Sequence, residues 1–333
     1  MLKRQYPLTL LLAMLLLFVS ACDGAASTSS SSGSSDAPSS FTIVYQPGLG
    51  AVTFITLKLQ KTLEKQFPHT TFGWKIVNSG AAVREAILSK QGDLGTLGIS
   101  PFLVGWDKGM DWKVLLATSR GDTWLVAKDP RLKTLKDFGP NDKIGVVAPD
   151  AQQAIVLRKA AQQQLGDAHA LDKNLVAISS ADGEQALLSG QLAANFAGSP
   201  FQEQEIAAGG HIVLHSNQPF GPVGAGLIVL PESIYNQYPT FSKTVYKDLL
   251  DASSYVASHH DQAAQYLAAD AGSGGKGTEA QFKKLLDNTS LVFDTTPSGL
   301  IAYASFMQSI GLITKVPASV NDLELPTVRG TGN

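Results

Sequence analysis

The sequence predicts an α/β fold of two lobes, each built on a mixed, mainly parallel sheet. Three observations lead there. The 333 residues exceed one ordinary domain, and at about 150 residues per domain they divide into two. Short β-rich runs alternate with helix-patterned segments from Phe41 to Leu230, the rhythm of strand–helix–strand units with parallel pairing. The chain also echoes itself. Ala86-Ile-Leu-Ser-Lys-Gln91, then Gly98 and Ser100-Pro101-Phe102, returns as Ala186-Leu-Leu-Ser-Gly-Gln191, then Gly198 and Ser199-Pro200-Phe201, an offset of 100 residues up to the glycine and 99 after it.

The elements follow in order. A strand at 41–45 leads into the turn Gln46-Pro47-Gly48-Leu49-Gly50, and a helix over 51–66 stops before Pro68, as a helix does ahead of proline. A strand at 72–77, a helix at 81–89, a strand at 93–97 and a helix from Ser100 come next. In both copies of the echo the serine is placed to cap a helix whose first position is proline. A strand at 114–117 closes the first run. Strands at 123–128, 143–147, 175–178 and 211–215 alternate with a helix at 151–165 and the repeated unit. After Pro219-Phe-Gly-Pro-Val-Gly224 comes a strand at 225–230, then a helical stretch to about Gly311 that packs on the first lobe or across both. Two crossings, at 120–122 and 217–224, make a two-stranded hinge. The expected organisation is therefore residues 41–121 plus 222–333 in lobe 1 and 122–221 in lobe 2.

The N-terminus carries a different message. Lys3 and Arg4 precede a twelve-residue apolar run at 8–19, then Ser20-Ala21 and Cys22, the one cysteine of the chain. Twelve residues fall short of the roughly 20 that span a bilayer but suit the core of a signal peptide over 1–21. Val19-Ser20-Ala21-Cys22 resembles the lipobox of bacterial lipoproteins, which implies lipidation at Cys22; an ordinary secretory signal is the alternative. Residues 22–40 are Ser-rich and form a tether, with an r.m.s. span of about 25 Å. The expected location is outside the cytoplasm, anchored by lipid to a bacterial membrane and facing the periplasm or the exterior.

Composition narrows the function classes. Lys and Arg number 26 against 28 Asp and Glu, a net charge of −2, so no overall field draws nucleic acid. One cysteine excludes an intrachain disulfide framework and cysteine-pair zinc sites. His211 and His215 lie on a strand, and His259 and His260 sit side by side on a helix pointing apart, so neither pair forms a metal site. Neither copy of the echo presents a serine with a nearby base in a nucleophile-elbow pattern, and no cofactor is expected.

The export signal, Ser79-Gly-Ala-Ala-Val-Arg-Glu-Ala-Ile-Leu-Ser-Lys-Gln-Gly-Asp-Leu-Gly95, the paired Ser-Pro-Phe motifs and the helical tail with Gly311-Leu-Ile-Thr314 resemble the substrate-binding proteins of ABC importers. They are most similar to the nitrate, sulfonate and taurine group, which includes the thiamine-pyrimidine-precursor (NMT1/THI5-like) binding proteins. The resemblance implies a two-lobed periplasmic-binding-protein fold of the type with two crossovers. It also implies a monomer that is not an enzyme and hands a small anionic or zwitterionic ligand, such as a sulfonate, taurine or nitrate, to a membrane permease. A pyrimidine precursor as ligand, an enzyme on the same scaffold with Asp122 or Asp150 as its titratable group, and a sensor domain are the alternatives.

Ligands in such folds bind beyond the carboxyl ends of the strands, which nominates loop residues. Ser100, Pro101 and Phe102, with Ser199, Pro200 and Phe201, stand at expected helix N-termini, where unpaired N–H groups attract an anion. Read as caps alone, the serines close their own helices while the phenylalanines fill the core. Gln46, Gly48, Leu49 and Gly50 form the first turn, whose glycines permit close approach of backbone to ligand. Ser79 with Gly80, and Asp150 with Ala151 and Gln152, hold equivalent positions and read equally as caps. Arg120 is a candidate fork for an acidic group and Asp122 an acceptor for an amine; a surface pair in a turn is their other reading. Tyr45, Trp106 and Trp124 are candidates for an apolar wall or for core.

Overall fold

In the computed structural model the described residues are 36–270, 277–288 and 292–329. The expected signal segment, Cys22 and the expected tether up to residue 35 lie outside them. The chain runs β1 (Ser40–Tyr45), α1 (Val52–Gln60), α2 (Thr62–Gln66), β2 (Thr71–Ile76), α3 (Gly80–Leu88), β3 (Leu94–Leu97), α4 (Ile99–Asp107), β4 (Lys113–Arg120), β5 (Trp124–Ala127) and β6 (Ile144–Val146). It continues through α5 (Gln152–Leu165), β7 (Leu175–Ala177), α6 (Ser180–Leu188), β8 (Ala194–Ala197), α7 (Phe201–Ala207), β9 (His211–His215), α8 (Asn217–Phe220) and β10 (Gly224–Leu230). Five helices close it: α9 (Glu232–Gln237), α10 (Pro239–Ser258), α11 (His260–Ala269), α12 (Glu279–Asn288) and α13 (Leu300–Ser309).

Two five-stranded sheets result, ordered β2-β1-β3-β10-β4 and β7-β6-β8-β5-β9. Their plans are the same. In each, three parallel strands are followed by a strand antiparallel to them and a fifth antiparallel to that one. The antiparallel member is the strand that arrives from the other sheet: β5 follows β4 through residues 121–123, and β10 returns from β9 through α8. The echo is literal in space, since α3 and α6, and β3 and β8, each lie 100 residues apart with equal lengths. A close approach explains one of its glycines: a Cβ on Gly95 of β3 would lie 2.5 Å from Val83 Cγ1 of α3, so the helix rests directly on the strand.

Apolar burial organises the layers. On one face of the first sheet, Phe41, Phe54, Leu115, Ile228, Phe241 and Leu267 share a core with α1, α10 and α11; Phe41 and Phe241 meet edge to face at 4.9 Å. A second core joins α3, α4 and α13 to α5 and the second sheet. Phe220 of α8 stacks on Tyr303 of α13 at 4.0 Å, so the helical tail reaches both sheets.

Several expectations are corrected. The helix placed over 51–66 is two helices, because Lys61 adopts φ 51° and breaks the run between α1 and α2. The first helix of the echo begins at Ile99 with Gly98 as its cap, so Ser100 and Pro101 are its second and third residues; proline is tolerated there because the N–H groups of a first turn have no helical partner. In the second copy the Ser199–Pro200 bond is cis, Pro200 is the cap and α7 begins at Phe201. His259 and His260 do not share a helix: non-helical backbone at His259, φ −132° and ψ 58°, separates α10 from α11.

Candidate functional site

Facing loops of the two sheets enclose a cavity of about 250 Å3. From the first sheet come the turn after β1 (Gln46 to Ala51), Asn78 and Gly80 at the start of α3, Thr96 to Gly98 at the end of β3, Pro101, the end of β4 at Thr118 and Ser119, and Gly226 of β10. From the second come Val147, Ala151, Gln152 and Gln153 before and within α5, Ser179 to Ala181 opening α6, and Gly198, Ser199 and Phe201 after β8. Gly121, Asp122 and Thr123, the link from β4 to β5, form the base. The parallel strands all point their carboxyl ends here, so α3, α4, α5 and α6 begin at the cavity.

Polar contacts at the cavity link the two sides. Leu49 N donates to Ser199 O at 3.1 Å. Arg84 Nη1 of α3 meets Asp150 Oδ2 at 2.8 Å. Ile99 N, the first donor of α4, reaches Gln152 Oε1 at 3.3 Å.

The nominated residues fall into groups. Gln46, Gly48, Leu49, Gly50, Gly80, Pro101, Asp122, Ala151, Gln152, Ser199 and Phe201 border the cavity. Ser79 instead caps α3 by accepting from Ala82 N at 3.2 Å. Ser100 and Phe102 are fully buried in the core, because the earlier helix start turns them inward, and Ser100 Oγ has no hydrogen-bond partner. Arg120 turns outward to Asp294, 2.7 Å away, Asp150 is occupied by Arg84, and Pro200, the cap of α7, is not among the lining residues. The expected apolar wall is not assembled from Tyr45, Trp106 and Trp124. Tyr45 is stacked on Phe54 at 5.8 Å in the core, Trp106 packs against the second core, and Trp124 turns its Nε1 to Asp122 at 2.8 Å. Phe201 is the one aromatic side chain among the described lining residues.

Asp122 is likewise the one charged side chain on that lining, and its lone pairs are taken. Oδ2 accepts from Trp124 Nε1 and from His215 Nδ1 at 2.5 Å. Oδ1 accepts from Ser216 Oγ at 3.1 Å and Asn217 N at 3.2 Å. It therefore ties the outgoing link to the segment that returns after β9. Behind Ser199, whose Oγ donates to Glu203 Oε1, α7 carries Glu205. That side chain is fully buried, and burial pushes its carboxyl from 4.5 up to about 8, against the opposing effect of a 2.6 Å hydrogen bond from Asn195 Nδ2.

Residues the sequence did not nominate include Ser179 and Ser180, Thr118 and Ser119, and Gly226. The first pair was within reach, since it is the 100-residue echo of Ser79 and Gly80. The others lie on strand pairs whose alignment only the sheet order reveals.

A family model described as NMT1-like matches residues 63–271. A search of curated proteins finds no match. Among solved structures, the alkanesulfonate-binding protein SsuA of Xanthomonas axonopodis pv. citri, bound to MOPS, superposes with a TM-score of 0.70 at 20% identity, covering 84% of this chain and 95% of that one. The periplasmic aliphatic sulphonate binding protein SsuA of Escherichia coli gives 0.67 at 18%, covering 88% and 99%. The periplasmic nitrate-binding protein NrtA of Synechocystis PCC 6803 gives 0.69 at 13%, covering 87% of each. At these identities the likeness is one of fold.

Proposed function

Because the chain belongs to the NMT1-like family, we propose that it is the extracytoplasmic solute-binding component of an ABC importer, capturing a small molecule between two lobes and presenting it to a permease. The observation that carries this reading is the cavity itself. Loops from both sheets line it, and only two chain crossings connect the sheets. That arrangement lets residues 122–221 swing as a body about the crossings and enclose a ligand. The cargoes named for the solved relatives, sulfonates and nitrate, make these and taurine the first solutes to try. The enzyme reading draws no support from the lining: Asp122 would be its acid or base, and four donors already occupy that carboxylate.

Anchoring through Cys22 completes the proposal and rests on Val19-Ser20-Ala21-Cys22. Labelled palmitate should enter the wild-type chain in a bacterial host and not Cys22→Ala.

The binding role is tested by thermal shift with sulfonates, taurine, nitrate, pyrimidines and uncharged amides and polyols. A solute at a hundred times its Kd stabilises by about 2.7 kcal/mol. Ser180→Trp, which fills the cavity from the first turn of α6, should abolish that stabilisation. Stabilisation that survives the substitution would place the ligand elsewhere.

A further inference from the structure

The lining has an unusual charge balance. Among its described residues there is no Lys, Arg or His, and the single carboxylate, Asp122, has two donors on each oxygen. Arg84, a cation that bridges the two sides, is committed to Asp150 at 2.8 Å. What the cavity does present is neutral: glycine backbone at 48, 50, 80, 98, 121, 198 and 226, with Ser, Thr, Asn and Gln side chains.

Magnitudes decide between ligand charges. Enclosing an ion away from water costs several kcal/mol unless a counter-charge meets it. An anion would meet no counter-charge, only neutral donors and the starts of α3, α4, α5 and α6, each contributing about 0.3–1 kcal/mol, and first-turn N–H groups of α3, α4 and α6 are already given to Ser79 Oγ, Gln152 Oε1 and Ser179 Oγ. The negative charge of Asp122 at the base opposes it further. A cation would meet those same four helix starts with the wrong sign, while the one carboxylate is saturated. A neutral molecule with oxygen acceptors carries no ion-desolvation cost and can accept from the same backbone donors. The absence of an aromatic surface other than Phe201 removes the platform on which a planar ring would stack.

We infer that this cleft selects a small, uncharged, non-aromatic molecule rich in oxygen acceptors, an amide or polyol, over the anions and zwitterions of similar size. The inference rests on the cleft being the capture site. Charge selection then comes from the missing counter-ion, and affinity should be nearly independent of ionic strength.

Matched pairs of probes test it: methanesulfonamide against methanesulfonate, propionamide against propionate, and glycerol against glycerate, each titrated by calorimetry and by amide NMR into the mature chain and into Ser180→Trp and Ser180→Lys. The neutral member of at least one pair should bind at least about tenfold tighter than its anion, with loss of binding in Ser180→Trp. Ser180→Lys supplies the absent cation and should reverse the preference. If the anions bind as tightly as their neutral partners and Ser180→Trp abolishes that binding, the charge inference fails while the cleft remains the capture site. If no probe of either charge binds, or binding ignores Ser180→Trp, the cleft is not a capture site for such solutes and both readings fall.

Discussion

The backbone N–H of Leu49 donates to the carbonyl oxygen of Ser199 across 3.1 Å. The first residue follows β1 and the second follows β8, so one hydrogen bond joins the turn of one sheet to the turn of the other. Main-chain groups make it, so its geometry depends on backbone path more than on side-chain identity. Gly48 sets that path at φ 138°, and a Cβ there would sit 3.4 Å from Ser199 O.

Replacing Gly48 by alanine should therefore act on closure. The φ value lies where L-residues are strained by about 1–3 kcal/mol, so the turn that presents Leu49 N to Ser199 O would have to relax, although the added methyl group itself would only touch that oxygen. The expected result is a lower melting temperature together with a larger radius of gyration in small-angle scattering. An unchanged radius would show that the turn does not control the approach of the two sides.

Arg84 and Asp150 offer a second, electrostatic bridge. Their side chains are partly exposed, at 13% and 24%, so screening limits the pair to about 1 kcal/mol. A double-mutant cycle with Arg84→Ala and Asp150→Ala should give a coupling of that size, shrinking in high salt. Coupling near zero at low salt would make the pair incidental to closure.

Much of the fold was legible because its signals are local. Alternation marked the strands, and the echo at 86–102 and 186–201 marked two copies of one plan, which the matched sheet orders realise. The site was legible only as far as its loops. Gly48, Gly80 and Gln152 follow from the rule that ligands gather at strand ends and border the cavity, whereas Ser100 and Arg120 fall outside its lining for separate reasons. Ser100 lies two residues into α4 because Gly98, not the serine, caps the helix. Arg120 turns to Asp294, a partner 174 positions away that no local pattern announces. The role of Asp122 as a clasp between chain segments was equally hidden, since His215, Ser216 and Asn217 reach it only through the sheet order.

That clasp is open to a conservative test. Asp122→Asn keeps the shape but halves the acceptors, and its amide nitrogen would face two donors. Hydrogen bonds to a charged group contribute about 1.5–3 kcal/mol each, so the substitution should destabilise by about 2–4 kcal/mol in denaturant titrations. A loss below about 0.5 kcal/mol would mean that Trp124, His215, Ser216 and Asn217 hold together without the carboxylate.

The buried carboxyl of Glu205 predicts the sign of a pH effect. Its value is raised from 4.5 to about 8 by burial, and Glu184 and Glu203 push it the same way. The folded state thus holds a proton that the unfolded chain releases, so this contribution to stability is complete below 4.5 and is lost as pH rises to about 8, where it levels off. The shift sets an upper bound of about 5 kcal/mol on the change. Glu205→Gln imitates the protonated form, keeps an oxygen for Asn195 Nδ2, and should match the wild type under acid conditions while exceeding its stability in alkali. Stability measured against pH in urea decides the matter. If the variant keeps the full decline between 4.5 and about 8, the proton resides on another carboxyl, and Glu184, whose value burial also raises, becomes the residue to replace.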